Sequence, residues 1–158
     1  MTTAISEIKQ ELATLPAKKL LELCLELARY KKDNKELMSY LLFDADNPAG
    51  FIENVKQEIE THFAELPKAN RYLTKKSLRK LLRTINKYIR FTGKGEPAIE
   101  MLIYFCTRLK DSSIPVRKDQ ALLNLYTQQL KKIEVLIASL HEDLHYDYKK
   151  HLDRLHIL

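Results

Sequence analysis

Residues 70–93 read NRYLTKKSLRKLLRTINKYIRFTG, and their apolar side chains recur at every third or fourth position. At 100° per residue, such side chains fall on one side of a helix. The apolar positions are Leu78, Leu81, Leu82, Ile85, Tyr88 and Ile89. Opposite them, within a sector of about 80°, lie six basic residues that we call the basic stripe. They are Lys76, Lys80, Arg83, Lys87, Arg90 and Lys94. The stretch predicts an amphipathic helix that starts near Asn70 and stops at Gly93.

The composition around this helix favours further helices. The chain has 158 residues, of which 45% are hydrophobic, with only 3 Gly, 5 Pro and no Trp. A chain of this length buries a core without metals or disulfides. Abundant Leu, Lys, Glu and Ala are typical of long helices with short connections. We therefore expect a single all-α domain over residues 1–158, built from six to eight mostly antiparallel helices without a strand.

The spacing of the prolines suggests a repeated pair of helices. Prolines recur about every 50 residues, and Leu15-Pro16 resembles Leu66-Pro67. Repeats of this length are typical of α-solenoids. The prediction is an α-α superhelix-like stack, and the alternative is an irregular helical bundle.

Capping residues predict where several helices begin. Thr14 is predicted to cap a second helix, which would have Pro16 in its first turn. Asp46 or Asn47 is predicted to cap a fourth helix that starts at Pro48. Glu96 and Pro97 are predicted to begin an apolar helix over residues 99–109, followed by a loop over residues 111–115.

The C-terminal part of the chain predicts a long helix. No Gly or Pro follows Pro115, and apolar side chains recur at close to helical spacing. One helix over residues 117–156, about 60 Å long, is expected. The alternative is two helices divided near Ser139.

The positive charge of the chain is concentrated in the basic helix. The net charge is +6, and residues 66–95 contain ten lysines and arginines and no acidic residue. Residues 1–65 contain 8 basic and 12 acidic residues. Like charges along one helix repel one another, so their presence favours an external anionic partner. The alternative is that the stripe is only solvated, or is neutralised by docking of the acidic N-terminal part of the chain.

Two kinds of macromolecule fit the basic stripe. The leading hypothesis is a non-enzymatic interaction or scaffold module that binds an acidic protein surface. The second is sequence-independent binding to nucleic-acid phosphates, with a salt slope of about −5 for six contacts. Tyr72, Tyr88 and Phe91 are assigned to the apolar side, which argues against base stacking. Binding to a membrane surface is not expected, because the apolar face would have to leave the core.

The most suggestive catalytic motif is His141-Glu142-Asp143-Leu144-His145, which matches HExxH, with His151 six residues later. In zinc proteases the two histidines bind the metal and the glutamate activates its water. On a continuing helix, His151 lies about 9 Å along the axis from His145 and cannot share its zinc. We predict no catalytic residue, metal or cofactor, and no small-molecule substrate. A zinc-dependent hydrolase is kept as a distant alternative.

The two cysteines, Cys24 and Cys106, lie in apolar helical runs, where a thiol usually acts as a small buried hydrophobe. They predict no disulfide framework. The first residues contain no apolar signal region, and no stretch approaches 18 apolar residues. We therefore expect a cytoplasmic protein.

Overall fold

The computed structural model describes residues 3–93 and 95–157, and this part of the chain contains eight α-helices and no strand. Asn70 caps the basic helix, and Gly93 ends it with a φ of 78°, as the sequence predicts. The all-α prediction is confirmed. The helices are α1 (Ile5–Ala13), α2 (Ala17–Tyr30), α3 (Lys32–Ser39), α4 (Pro48–Ala64), α5 (Arg71–Thr92), α6 (Glu96–Asp111), α7 (Gln120–Ala138) and α8 (Glu142–His156). A π-helical turn, Tyr40–Asp44, follows α3, and a 3-10 turn, Val116–Lys118, precedes α7.

The chain divides into two compact units, Met1–Phe43 and Asp44–Leu158, which we call the N-terminal and C-terminal units. In the N-terminal unit α2 packs against α3, and the Asn34 side-chain amide donates a hydrogen bond to the Leu27 carbonyl, 2.8 Å away. None of the side chains of α1, α2 or α3 is buried. Tyr40 is the one buried side chain among residues 3–43. The single domain over residues 1–158 stays a prediction.

In the C-terminal unit α6 is the central helix. It contacts α4, α5, α7 and α8. Around it, α4 packs against α5 and α7 packs against α8. Seven side chains of α6 are fully buried: Ala98, Ile99, Met101, Leu102, Phe105, Cys106 and Leu109. This helical stack agrees with the predicted superhelix-like arrangement.

The single helix expected over residues 117–156 is wrong, and the alternative break near Ser139 is confirmed. The Ser139 hydroxyl donates to the Leu136 carbonyl, 2.7 Å away, as serine commonly does at a helix end. The chain then turns back so that α8 packs against α7. The buried Tyr126 hydroxyl fixes this pairing by donating to the Leu155 carbonyl at 2.7 Å.

The predicted start of the second helix is also wrong. Thr14 does not cap α2, because its hydroxyl donates back to the Glu11 carbonyl at the end of α1. Pro16 occupies the N-cap position instead. The fourth helix follows the prediction, since the Asn47 side chain accepts a hydrogen bond from the Gly50 N–H and Pro48 is the first helical residue.

The two cysteines differ in exposure. Cys106 is buried in α6, and burial raises the pKa of its thiol. Cys24 is exposed on α2, so the expectation that both thiols are buried is wrong for this residue. Among residues 3–93 and 95–157, no helix combines the length and apolar character needed to cross a bilayer.

Candidate functional site

The basic stripe lies along α5, opposite the buried face of this helix. Lys76, Lys80, Arg83 and Arg90 are exposed, whereas Lys87 is half-buried. The Lys87 ammonium lies 5.7 Å from the centroid of the Tyr88 ring, within cation–π range. The sixth member, Lys94, lies outside the described residues.

Four side chains of the stripe have no counter-charge within ion-pair distance among the described residues. Across the described residues, Lys76, Lys80, Arg83 and Arg90 form no ion pair. A lysine just outside the stripe behaves differently, because the Lys75 ammonium lies 3.0 Å from an Asp119 carboxylate oxygen. The unpaired cations leave a net positive potential on this face of α5.

Part of the basic stripe lines a groove between α5 and α7. One cavity of about 780 Å³ is lined by Arg83, Arg90 and Lys132, with Ile89 and Leu136 as its apolar part. Asn86 and Gly93 complete the lining. An adjoining cavity of about 550 Å³ shares Arg83 and Asn86 and adds Arg79. We call the two cavities together the α5–α7 groove.

The lining of the α5–α7 groove combines cations, amides and apolar side chains. Within the part of the chain that the structure describes, no aspartate or glutamate lines either cavity. The amide side chains are Asn86, Asn124, Gln128 and Gln129. Guanidinium and amide groups donate hydrogen bonds to carboxylate or phosphate oxygens. The lining of the groove can therefore donate several hydrogen bonds to an anionic group.

Lys132 lies in the wall of the groove, partly buried and close to another cation. Burial lowers the pKa of its ammonium, and the nearby Arg90 charge lowers it further. The ammonium donates to the Asn86 side-chain oxygen, which holds it at the wall of the groove. An anion bound beside Lys132 would reverse this effect and stabilise its charged form.

The structure brings together only part of the predicted site. Arg83 and Arg90 line the groove, whereas Lys76 and Lys80 are not among its lining residues. Arg79 and Lys132 line it and were missed by the sequence prediction. Arg79 carries a signal, because it lies one turn before Arg83 on the same edge of the helix. No sequence signal indicates Lys132, because this residue reaches the groove only through the packing of α7.

The assignment of Tyr72 to the apolar side of α5 is wrong. Its side chain is 69% exposed, so it is not part of the core. Tyr88 and Phe91 are half-buried, as expected for the edge of the apolar side. Tyr72 precedes Lys76 by one helical turn and therefore lies on the same side of α5 as the stripe.

A further cavity, of about 540 Å³, lies between α4, α6 and α8 and has a different charge. Its lining includes Glu96, Glu100 and Asp147, with Lys56 as a counter-charge. The Tyr148 hydroxyl donates to a Glu96 carboxylate oxygen at 2.8 Å. Burial, followed by the hydrogen bond to Glu96, raises the pKa of Tyr148. This acidic cavity does not suit an anionic partner.

The histidines of the HExxH motif lie at the start of α8. His141 is the N-cap residue, and its Nδ1 accepts a hydrogen bond from the Asp143 N–H at 3.4 Å. His145 Nε2 lies 2.9 Å from the Leu140 carbonyl oxygen, within hydrogen-bond distance. Two zinc ligands one turn apart require both residues on the helix, whereas His141 precedes it. Among the residues with described positions, no group of three or more His, Cys, Asp or Glu side chains is placed to bind a metal ion.

Comparison of the chain with known protein families, curated proteins and solved structures yields no significant match.

Proposed function

We propose that this chain is a non-enzymatic interaction module that binds an acidic protein surface through the basic stripe and the α5–α7 groove. The observation that carries the proposal is the unpaired cationic wall formed by Arg83 and Arg90. Tolerating these charges in one groove costs stability, and an acidic partner would offset that cost.

The apolar part of the groove favours a protein partner. Ile89 and Leu136 line the same cavity as the two arginines and give it a small apolar floor, in which 7% and 6% of their surfaces are exposed. Phosphate backbones do not use such apolar patches, whereas an amphipathic helix places apolar and acidic side chains side by side. An acidic amphipathic helix is therefore the partner that matches the groove best.

The test is fluorescence anisotropy with a labelled peptide helix that carries leucines on one face and glutamates beside them. We expect saturable binding that weakens when salt rises from about 50 to 200 mM, because the contacts include exposed charges. The variant R83E/R90E should reduce the affinity at least tenfold, as expected for lost charge pairs at an interface.

The matched control is K149E/K150E, which changes the net charge by the same amount at two exposed residues of α8. It should alter the affinity much less than R83E/R90E. Equal loss in both variants would mean that only the overall charge matters. That result, or no binding at low salt, would contradict the proposed site.

A second candidate function is sequence-independent binding of nucleic acid, favoured by the exposed Tyr72 on the same side of α5 as Lys76. An exposed aromatic ring next to cations can stack on a base. The test is anisotropy with duplex DNA and single-stranded RNA. Binding that tightens for single strands, loses affinity in Y72A and falls steeply with salt would support this function. Binding of the peptide but of neither nucleic acid would contradict it.

A further inference from the structure

The N-terminal unit exposes most of the large apolar side chains that the structure leaves uncovered. Of sixteen exposed large hydrophobic residues among the described positions, eleven belong to residues 3–43. They are Ile5, Ile8, Leu12, Leu21, Leu25, Leu27, Tyr30, Leu37, Leu41, Leu42 and Phe43. Single exposed leucines are common on protein surfaces, but a cluster of this size marks an interaction surface.

Helix α2 shows how these side chains are arranged. Its charged residues occupy about 100° of the helix, and its apolar residues occupy about 200°. The apolar arc contains Ala17, Leu20, Leu21, Leu23, Cys24, Leu25, Leu27 and Ala28. α3 packs against α2, yet Leu21 and Leu27 remain 60% and 57% exposed. The arc is wide enough to pack against a second neighbour as well.

The uncovered apolar area matches that of a stable interface. The eleven side chains together expose the equivalent of about six whole apolar side chains, on the order of 400–800 Å². A standard interface buries about 800 Å² per partner, roughly 60% of it apolar. The N-terminal unit therefore offers as much apolar surface as one side of such an interface needs.

The size of the unit supports the same conclusion. A unit of 43 residues is close to the length below which folding usually requires disulfides, metals or oligomerisation. Both cysteines are free, and residues 3–43 bury only the Tyr40 side chain. Of these three means, oligomerisation is the one that also covers the exposed leucines.

The charges of the unit fit a second copy of itself. Residues 1–43 contain 7 basic and 6 acidic residues, whereas the remaining residues contain 20 and 15. Both signs of charge occur on the polar side of α2, where the Lys19 ammonium lies 3.3 Å from a Glu22 carboxylate oxygen. Two copies of a nearly neutral surface with mixed charges do not repel each other, as a twofold interface requires.

We propose that the chain forms a homodimer through its N-terminal unit, with the eleven exposed apolar side chains of one copy packing against those of the second. Cys24 lies within the arc of α2, so the dimer would shield its thiol. Cys106 is buried in α6 in either state.

The first measurement is the molar mass of the full chain by light scattering after size exclusion, from low to high micromolar concentration under reducing conditions. We expect a concentration-dependent shift from one chain to two. The variant L21E/L25E should stay monomeric, because two carboxylates would be buried in the interface. K18E is the control, since it changes the net charge equally at an exposed residue on the polar side of α2.

The second measurement is the rate at which a thiol reagent modifies Cys24, with C24S identifying its contribution. In the unchanged chain this rate should fall as the protein concentration rises, and in L21E/L25E it should not. This readout remains informative if L21E/L25E lowers the helix content of the unit. A chain that is monomeric at every concentration, or a dimer that L21E/L25E leaves intact, would overturn the proposal.

Discussion

The two units of this chain use the same kind of amphipathic helix and reach different degrees of burial. In the C-terminal unit the central helix α6 buries seven side chains completely, and the apolar side of α5 is covered. In the N-terminal unit α1 and α2 have equally clear apolar sides, yet they bury none of their residues. An apolar side therefore predicts only that a helix packs best against another element. Whether a core forms depends on how many other helices pack around it.

The largest expected difference in the free energy of unfolding is between two Phe→Ala variants, one in each unit. Phe105 in α6 is fully buried, with its ring centroid 6.0 Å from that of Phe63, whereas Phe43 is 79% exposed. F105A should lower the free energy of unfolding by about 3–5 kcal/mol, because it opens a cavity in the core. F43A should change it by no more than about 0.5 kcal/mol. Urea denaturation of both variants measures the difference.

Low protein concentration keeps this comparison free of self-association. If F43A proves as destabilising as F105A, then the N-terminal unit has a core of its own and the contrast between the units is wrong.

The next effect concerns a buried polar contact of the C-terminal unit. Tyr126 is 1% exposed, and its hydroxyl donates to the Leu155 carbonyl of α8. Burial raises the pKa of Tyr126, so the hydroxyl keeps its proton. Y126F leaves that carbonyl buried without its donor and should cost about 1–3 kcal/mol. Y146F, at a residue 75% exposed on α8, should be nearly neutral.

Hydrogen exchange would show where the Y126F effect lies. Faster exchange confined to α8 is expected, because the lost bond joins this helix to α7. A uniform increase across α6 would instead show that the hydroxyl stabilises the whole unit.

Local sequence signals predicted most of the fold, and the errors have local physical causes. Asn70 and Gly93 bound the basic helix as predicted, because a cap and a positive φ depend on a few adjacent residues. Thr14 was assigned to the wrong helix because its hydroxyl had more than one backbone partner within reach. The break near Ser139 was predicted only as the alternative to one long helix, and the Ser139 hydroxyl acts as that of Thr14 does. Both donate backward to a carbonyl three residues earlier and so end a helix.

The candidate site was less predictable, because it combines residues that are distant in sequence. The basic stripe follows from α5 alone, and Arg83 and Arg90 of the stripe line the groove. Lys132 reaches the groove only because α7 packs beside α6, and no pattern around Lys132 indicates this. The exposure of Cys24 was missed for a related reason, since an apolar run does not reveal whether anything covers it.

Helix caps provide a smaller contrast between the units. The N-cap side chain accepts a hydrogen bond in α4, α5, α7 and α8 but not in α6, and none of the N-cap side chains of α1, α2 and α3 does so. Asn70 Oδ1 accepts a hydrogen bond from the Leu73 N–H at 3.1 Å. N70A should cost about 1 kcal/mol, whereas N70S should keep the cap and cost only a few tenths. Equal losses in thermal denaturation would show that the cap is not the cause.

Ion pairs are expected to have the smallest effect on stability. The two units differ in which helices their ion pairs join. In the N-terminal unit, the ion pairs Lys19–Glu22 and Lys32–Glu36 each join residues of one helix, whereas Lys75–Asp119 joins α5 to the cap of α7. The hydrogen bond from Lys75 holds the pKa of Asp119 below its ordinary value. The contribution of this ion pair to stability is therefore complete above the unfolded pKa of about 3.9 and is lost as pH falls through the lower folded pKa.

D119N keeps a capping side chain but removes this charge, so its denaturation midpoint should fall less between neutral and acid pH than that of the unchanged chain. D153N, at an exposed residue of α8, should leave the pH dependence as it is. Identical pH profiles for D119N and the unchanged chain would show that the contact between these two helices owes nothing to the ion pair.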